Sequence, residues 1–397
     1  MTELAIVGGV YHELCAWPDW DQIYGSGGRA AAAVSAHVDN VNLYSYAQPR
    51  ARKMFEPTVK LYGFNFTPVA TEQSISFEYI HCMSIPIIRP WPPLIKVNEV
   101  IEVSGDLVLR FGMMEGSARV DANRCVYDPQ SATLPESFAA NGSRANRLAI
   151  VANRAEISKI GDNADPVEAA KQLLSSEPAE VVVVKSGAAG AYVVETDAVT
   201  HIPAHLTDNV WTIGSGDVFA AAFALSWGVE ELSAVEAAEY ASRAVAFYVN
   251  SRSLPLPRKA KVESADFPKA SVANGTVYLA GPFFSIGQRW LVDEVKRCLQ
   301  DLGVSVFSPV HDVGVGPADS VVTKDIQGLG KCDAVLAILD GLDSGTLFEV
   351  GYARAHEKPV YAIAQSVSSE DAKMLVGTDC RLFDDLVTAL HHVAWRT

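Results

Sequence analysis

The chain has 397 residues, of which 49% are hydrophobic and 20% are charged, and this composition excludes a disordered, collagen-like or coiled-coil protein. Its 32 Lys and Arg residues stand against 47 Asp and Glu residues, and the net charge of −15 argues against binding to nucleic acid or to an anionic membrane. The length predicts two domains, and the charge balance favours a small molecule as the partner.

The six cysteines are scattered, without a Cys-x-x-Cys pair or a metal-ligand spacing, which indicates reduced and mostly buried thiols. Residues 1–10 lack a basic segment, and no apolar stretch is long enough to span a bilayer. We therefore expect a cytoplasmic protein without a membrane anchor, and we expect it to be a homo-oligomer.

A break in composition divides the chain. Residues 250–275 contain three prolines and a cluster of basic residues, between two regions with strong hydrophobic patterns. We predict a first domain at residues 1–252, a linker at residues 253–274 and a second domain at residues 275–397.

Strands and helices alternate in the first region. The predicted strands are Leu4–Val7, Val181–Lys185 and Ala191–Glu195, and the predicted helices are Gly28–His37, Val218–Trp227 and Ser233–Val249. The pattern between Phe64 and Val108 changes to short alternating pieces, and part of this range is predicted to form a small β-lid or an added sheet. The first region is therefore predicted to be an α/β domain.

The second region shows the same alternation with shorter elements. Its predicted strands, separated by helices, are Val277–Ala280, Val304–Phe307, Ala334–Leu339 and Val360–Ala364. This order predicts a doubly wound parallel sheet of the Rossmann-like or flavodoxin-like kind.

A turn of small residues precedes the apolar helix at Val218. Gly214, Ser215 and Gly216 lead directly into that helix, so their backbone N–H groups and the helix dipole should converge on an anion. Asp217 follows, and an aspartate at a helix start is ordinarily only a cap. The neighbouring segments favour a catalytic interpretation.

This turn resembles the late Gly-Ala-Gly-Asp signature of the ribokinase-like, or PfkB, family of carbohydrate and nucleoside kinases. The resemblance covers roughly residues 1–252 and implies a ribokinase-like α/β domain with a small β-lid. It implies that residues 214–216 form an anion hole for the transferring phosphate. It also implies that Asp217 is the base that takes the proton of the substrate hydroxyl.

Other segments match this family in the expected order. Glu13 stands near the first strand, where the family has a substrate-binding acid, and Gly27 and Gly28 resemble the turn that closes on the sugar. Asn153 and Glu156 resemble an Asn-x-x-Glu motif that orders Mg²⁺ through oxygen ligands. The nucleotide-side turn is matched by Lys185, Ser186, Gly187 and Gly190. The resemblance thus implies ATP and Mg²⁺ as cofactors.

Two positions depart from the family pattern. Trp211 stands where the family has an aspartate that is associated with monovalent-cation binding, and an alanine stands where the early turn has an asparagine. One alternative therefore stays open. The first half would be a catalytically inactive module that senses a ligand or mediates oligomerisation and regulates the second half.

Three acidic residues stand out in the second region. Asp325, Asp343 and Glu349 are predicted to gather at the carboxyl ends of strands, where open α/β sheets bind ligands. Asp343 and Glu349 also suit the start of a helix, where they would stabilise its dipole. However, Glu349 lies in an apolar stretch in which an unpaired carboxylate is costly, and this favours a working group.

Residues 275–390 resemble the nucleoside 2-deoxyribosyltransferase family through the motif Asp-x-Gly-Thr-x-x-Glu-x-Gly-Tyr-Ala. The resemblance implies that Glu349 is the nucleophile at C1′ and that Asp325 and Asp343 hold the sugar and manage the proton on the leaving base. It implies that Tyr278 orients the nucleophile and that Gly281 contacts the substrate. Ser308 belongs to a loop that either meets a 5′-hydroxyl or 5′-phosphate or binds no ligand.

The sequence thus predicts a bifunctional enzyme. An ATP-dependent kinase of a sugar or nucleoside hydroxyl precedes a domain that cleaves or transfers the N-glycosidic bond of a nucleoside or nucleotide. The partner is a nucleoside, a nucleotide or a pentose, with no nucleic acid and no membrane. The base, ribose against 2-deoxyribose, transfer against hydrolysis and the order of the two reactions stay open.

Overall fold

The computed structural model describes residues 2–131 and 134–396 of the chain. Its internal contacts define two units, Met1–Lys269 and Ala270–Thr397. All six cysteines lie in the described part, are buried and form no disulfide. No helix among the described residues is long and apolar enough to cross a membrane.

Runs of β-branched and other apolar residues form the strands of the first unit. These strands are β1 (Glu3–Val7), β2 (His12–Trp17), β3 (Trp20–Ile23), β4 (Asn40–Ala47), β5 (Asn65–Ala70), β6 (Ser76–His81), β7 (Ile87–Arg89), β8 (Ile101–Phe111), β9 (Ala118–Asp128), β10 (Arg144–Asn153), β11 (Val181–Lys185), β12 (Ala191–Glu195), β13 (Ala198–Ile202) and β14 (Ala204–His205).

Among the described residues, nine of these strands form the main sheet, in the order β13-β12-β11-β10-β9-β8-β1-β4-β5. The neighbouring strands β11-β10-β9-β8-β1-β4-β5 are parallel to one another. Strand β12 is antiparallel to β11, and β13 is antiparallel to β12. Parallel strands place their carboxyl ends at one edge. Asp128, Asn153 and Lys185, which end β9, β10 and β11, therefore share that edge.

A separate four-stranded sheet in the order β3-β2-β6-β7 forms the predicted lid. Only part of the range Phe64–Val108 forms this lid, because strands β5 and β8 belong to the main sheet. One detail of the prediction was wrong, since Glu13 lies on lid strand β2 rather than next to β1. The chain leaves β1 at a close turn, because a Cβ at Gly8 would lie only 3.0 Å from the backbone nitrogen of Gly27.

Small residues allow the helices of the first unit to pack closely. These helices are α1 (Gly25–Val34), α2 (Pro49–Tyr62), α3 (Arg154–Ile160), α4 (Pro166–Ser176), α5 (Ser215–Phe223), α6 (Ala234–Ser251) and α7 (Lys259–Ser264). Every residue of the alanine-rich helix α1 is buried. The predicted helix from Val218 consists of α5 and a π-helical continuation at Ala224–Val229.

Helix α7 lies inside the segment that the composition predicts as a linker, and its Val262 is buried. A short strand, β15 (Lys269–Ala270), follows it. Neither element was predicted from hydrophobic periodicity, because the prolines of this segment indicate turns and loops.

The second unit contains β16 (Thr276–Ala280), β17 (Ser305–Phe307), β18 (Ala334–Ile338), β19 (Val360–Ile363) and β20 (Arg381–Phe383). Its described helices are α8 (Ile286–Asp301), α9 (Pro309–Asp312), α10 (Ala318–Lys331), α11 (Ser344–Ala355), α12 (Lys373–Gly377) and α13 (Leu386–Trp395). The five strands are parallel in the order β17-β16-β18-β19-β20. Counted along the chain this is 2-1-3-4-5, the flavodoxin-like order, so the predicted doubly wound sheet is confirmed.

Candidate active sites

A cavity of about 740 Å³ opens in the first unit, between the lid strands and the carboxyl ends of the main-sheet strands. Its lid side carries Phe77 and Tyr79 of β6. The predicted site residues on its walls are Asn153, Glu156, Lys185, Gly187, Gly214, Ser215, Gly216 and Asp217. The fold therefore brings the predicted anion hole, base, metal pair and part of the nucleotide turn to one place.

The turn before α5 requires glycine for two reasons. Gly214 has a φ of +77°, and a Cβ there would lie 2.1 Å from the Nε atom of Arg29. Asp217 lies in the first turn of the helix and is buried. This geometry places the carboxylate beside the helix N-terminus, where an anion is stabilised.

Arg29 joins the two predicted acids of the sugar site. Its guanidinium donates through Nη1 to Oε1 of Glu13 at 3.0 Å and to Oδ2 of Asp217 at 2.9 Å, and through Nη2 to Oε2 of Glu13. Its Nε donates to the hydroxyl of Tyr248 at 3.0 Å. With only 1% of its surface exposed, Arg29 fills the position between the acids.

The second oxygen of Asp217 is also occupied. The side-chain amide of Gln130 donates to its Oδ1 at 2.6 Å. Both carboxylate oxygens thus have a donor from the protein, and a substrate hydroxyl has to share or displace one of them.

Asn153 and Glu156 form a capping box at the start of α3. Oδ1 of Asn153 accepts from the backbone N–H of Glu156 at 2.9 Å, and Oε2 of Glu156 accepts from the backbone N–H of Asn153 at 3.0 Å. Glu156 is buried and lines the cavity. A carboxylate and an amide oxygen at the cavity wall fit Mg²⁺, which prefers hard oxygen ligands.

The predicted nucleotide turn lies between β11 and β12. The backbone N–H of Ser186 donates to the carbonyl of Gly190 at 2.7 Å and closes the turn, and Gly187 lines the cavity. Ser186 and Gly190 shape this turn without lining the cavity, whereas the ammonium group of Lys185 reaches the wall and pairs with Asp128.

Trp211, where the resemblance expects an acid, is buried, and the guanidinium of Arg252 lies 4.3 Å from its ring centroid. A cationic side chain of the protein therefore stacks on the residue that replaces the acid.

In the second unit, Tyr278 and Glu349 form the centre of the predicted site. The hydroxyl of Tyr278 on β16 donates to Oε1 of Glu349 on α11 at 2.5 Å. The ring of Tyr278 is fixed by stacking on Phe307, with centroids 5.5 Å apart. Burial raises the pKa of Glu349 to about 7, and the charges of Asp325 and Asp343 raise it too, whereas the Tyr278 hydroxyl lowers it.

Asp325 is close enough to Glu349 to raise its pKa, but the prediction of its place was wrong. It lies within helix α10 rather than at the end of a strand. Its Oδ1 is buried and has no hydrogen-bond partner in the part of the chain that the structure describes, and burial raises its pKa. The direction of this shift favours the protonated form of the carboxyl group, the form that a proton donor needs.

The remaining predicted residues have structural roles of their own. Asp343 caps α11, where its Oδ2 accepts from the backbone N–H and the hydroxyl of Thr346 at 2.8 and 2.9 Å. A Cβ at Gly281 would lie 3.2 Å from Ile338, so glycine allows β16 and β18 to pack closely there. Ser308 is fully buried, and its hydroxyl lies 2.9 Å from Nδ1 of His311.

Two protein-family models match this chain. The model described as pfkB family carbohydrate kinase matches residues 118–259, and the model described as nucleoside 2-deoxyribosyltransferase matches residues 277–380. Both resemblances predicted from the sequence are confirmed, and in the same order. The chain combines a PfkB kinase-like domain with a nucleoside 2-deoxyribosyltransferase-like domain.

Solved structures are similar to the first domain. Ribokinase from Giardia lamblia is 13% identical with a TM-score of 0.50, and the match covers 66% of this chain and 99% of that one. A phosphofructokinase-2 mutant from Escherichia coli is 14% identical with a TM-score of 0.48, covering 66% of this chain and 97% of that one. The ribokinase likeness shows the ribokinase-like fold alone. A comparison with curated proteins found no match.

Three residues of the first site were not predicted from the sequence, namely Arg29, Asp128 and Gln130. A lone arginine among the alanines of α1 was a signal, because a charged residue on a buried helix needs a charged partner. Asp128 also gave a signal, since it directly follows a buried apolar strand segment.

Proposed function

We propose that the second unit cleaves the N-glycosidic bond of a nucleoside or nucleotide. The observation that carries this proposal is the 2.5 Å hydrogen bond from the Tyr278 hydroxyl to Glu349. This hydrogen bond fixes the orientation of the half-buried Glu349 carboxylate and leaves its second oxygen available. A nucleophile at an anomeric carbon requires both features.

The reaction has two steps. The free oxygen of Glu349 forms a bond to C1′ while the bond from C1′ to the base nitrogen breaks and its electrons remain on the base. Asp325, when protonated, gives its proton to that base. A second base or water then attacks C1′, the bond from C1′ to Glu349 breaks and returns the carboxylate, and the acceptor's proton passes to the carboxylate of Asp325. The domain then acts as a transferase or a hydrolase respectively.

For the first unit we propose phosphoryl transfer from ATP to a hydroxyl of a sugar or nucleoside. The bond from the terminal phosphorus to its bridging oxygen breaks, a bond to the acceptor oxygen forms, and Asp217 takes the acceptor proton. The turn at residues 214–216 supports this proposal, because its N–H groups suit the charge that develops on the phosphate. Mg²⁺, held by Asn153 and Glu156, would neutralise charge on the phosphates.

One observation favours a second candidate for this unit. Arg29 occupies the position between Glu13 and Asp217 where the sugar hydroxyls are expected, and it is hydrogen-bonded to both. In that candidate the acceptor half of the site is closed by the chain itself, and the unit binds a ligand and regulates the glycosidic reaction without phosphorylating anything.

The second unit is tested with the full-length protein and a panel of nucleosides and nucleotides, with base release measured by chromatography. Glu349→Gln should stop release, and trapping the wild type with a slow 2′-fluoro nucleoside should place the sugar adduct on the peptide that contains Glu349. An adduct on another peptide, or release by the variant, contradicts the assignment. Asp217→Asn is the matched control and should release base at the wild-type rate.

The first unit is tested with ATP, Mg²⁺ and a panel of pentoses and nucleosides. If the unit is a kinase, the wild type phosphorylates an acceptor and Asp217→Asn lowers the rate by about 10²–10⁴-fold, the range expected for a lost general base. Glu349→Gln should leave this rate unchanged. Absence of turnover in the wild type would contradict the kinase proposal, and turnover gained by Arg29→Gln would show that Arg29 closes the acceptor half of the site.

The homo-oligomeric state and the cytoplasmic location remain predictions. Sedimentation of the purified protein would test the first of them.

A further inference from the structure

The loop at residues 209–213 leads directly into the anion-binding turn of the first unit, and the family resemblance implies a monovalent cation beside this loop. The implied ligand is an aspartate at the position where this chain has Trp211. Cations such as K⁺ are held by oxygen atoms that replace their shell of water. The oxygen atoms of the loop therefore decide whether such an ion fits this chain.

The carbonyl oxygens of the loop are already used within the chain. Those of residues 209, 210, 212 and 213 accept from Oγ1 of Thr207 at 2.7 Å, Sγ of Cys82 at 3.9 Å, the backbone N–H of Ser215 at 3.1 Å and the hydroxyl of Tyr248 at 2.9 Å, respectively. Each donor occupies a lone pair and places positive charge beside the oxygen. The acid nearest to Trp211 along the chain, Asp208, is exposed. This set of donors does not fit a monovalent cation.

The last turn of α6 holds the loop in place. The backbone N–H of Trp211 donates to the carbonyl of Val249 at 2.9 Å, and the backbone N–H of Asn209 donates to Oδ1 of Asn250 at 3.0 Å. Arg252 caps the helix, and its guanidinium lies 4.3 Å from the ring centroid of Trp211. The chain thus fixes this loop with its own groups.

The contact between Arg252 and Trp211 replaces an acid and an ion by a guanidinium and an indole ring. It is favourable because the face of an aromatic ring carries partial negative charge, and tryptophan is the best aromatic partner for a cation. Trp211 is 2% exposed, and the ring of Trp20 packs against it with centroids 5.2 Å apart. The ring is therefore enclosed by protein and has a cation of the chain itself as its partner.

We propose that the first unit functions without a monovalent cation and that the stacked pair of Trp211 and Arg252 is the positioning element that orders the loop before the anion-binding turn. The guanidinium is permanently charged and belongs to the chain, so the order of the loop does not depend on the salt in solution. This inference goes beyond the proposed function, and only its second test rests on the binding of a nucleotide by the first unit.

The first test measures thermal unfolding of the unliganded full-length protein in KCl, NaCl and tetramethylammonium chloride at equal concentration, by scanning calorimetry. An ion that binds the folded state raises the midpoint of unfolding. The midpoint should be the same in all three salts. A midpoint that is higher in KCl or NaCl than in the organic salt would overturn the absence of a cation site.

The second test titrates the full-length protein with a non-hydrolysable ATP analogue and Mg²⁺ in the same salts. The affinity of the wild type should agree between the salts within about twofold. Arg252→Met removes the charge and keeps an unbranched side chain, and loss of the cation–π contact should weaken binding of the analogue roughly 2- to 30-fold. Arg252→Lys keeps a cation and should recover most of the affinity.

A second stacked arginine of the first unit provides the matched control. The guanidinium of Arg147 lies 4.9 Å from the ring centroid of Trp227, and neither residue lines the cavity. Arg147→Met should therefore bind the analogue as tightly as the wild type. If Arg252→Met lowers the unfolding midpoint and leaves the affinity for the analogue unchanged, its role is structural alone and the positioning role is overturned.

The outcomes distinguish this inference from the proposed kinase activity. Equal affinity in all salts, with selective weakening by Arg252→Met and no turnover of any acceptor, supports the inference and refutes phosphoryl transfer. Binding that requires K⁺ or Na⁺, together with turnover, overturns the inference and supports the kinase. No binding of the analogue by the wild type would overturn the positioning role, whereas the unfolding midpoints still decide the absence of a cation site.

Discussion

Replacing Tyr278 by Phe tests the nucleophile of the second unit most directly, because it removes one hydroxyl and leaves the stacked ring. Burial raises the pKa of Glu349 to about 7, even though this hydroxyl, which donates to Glu349 at 2.5 Å, lowers it. Loss of a donor to the charged form must raise the pKa further. Glu349 reacts as a carboxylate, so cleavage should decline at neutral pH.

The size of the effect follows from the strength of such a bond. A hydrogen bond to a charged group contributes about 1.5–3 kcal/mol, and 1.36 kcal/mol corresponds to one pKa unit, so the shift should be about 1–2 units. A group that titrates near pH 7 is half ionised there. In Tyr278→Phe the ionised fraction at pH 7 falls to roughly 1–10%, and the rate should fall by about 5- to 50-fold.

The assay uses a nucleoside whose base is an N7-methylated purine. This leaving base already carries a positive charge and needs no proton from Asp325, so the pH dependence of kcat/KM reports the nucleophile alone. Wild-type activity should rise with pH through about 7, and the rise in Tyr278→Phe should lie 1–2 units higher. Tyr361→Phe, which removes a hydroxyl from another buried tyrosine of the same sheet, is the matched control. Identical pH profiles for Tyr278→Phe and the wild type would refute the reasoning.

Two further predictions concern the stability of the first unit. Arg29→Gln leaves two buried carboxylates without their cation and should lower the free energy of unfolding by about 3–5 kcal/mol. The control Arg119→Gln breaks an exposed ion pair and should change the free energy of unfolding by less than about 1 kcal/mol. Urea unfolding measures both variants, and equal effects would contradict the charge argument. Gly214→Ala should cost more than the roughly 1–2 kcal/mol of a left-handed backbone, because its Cβ also meets Arg29, whereas Gly187→Ala has open space and should cost only that amount. A thermal-shift comparison in which Gly187→Ala is the less stable variant would show that the contact with Arg29 is relieved.

The parts of the fold that depend on local pattern were predicted well. Val181–Lys185 and Ala191–Glu195 were predicted with the observed bounds, because a short uninterrupted run of apolar residues between turns indicates a strand by itself. The placement of Glu13 on the lid was missed, because it depends on how a glycine turn directs the chain toward strand β6. Hydrophobic periodicity carries no information about that direction.

Arg29 shows why a site cannot be completed from motifs. Its partners Glu13 and Asp217 are 16 and 188 residues away in sequence, and the resemblance assigned both of them to the substrate. A motif states which residue types gather, whereas the charge balance of the assembled site depends on residues that no motif includes. Whether the first unit is a kinase or a regulatory unit depends on that charge balance.

The central carboxylates of the two units differ in how far their negative charge is compensated. Asp217 has a guanidinium on one oxygen and an amide on the other, so the protein supplies a partner for each of its oxygens. Among the described residues, Glu349 has a neutral hydroxyl as its hydrogen-bond donor and lies near other acids, so its charge is poorly compensated. Poor compensation of its negative charge favours a carboxylate that acts as a nucleophile, because forming a bond to carbon removes that charge. The surroundings of Glu349 therefore suit the nucleophile that we propose, whereas Asp217 can take the proposed role of a base only when a ligand competes with Arg29.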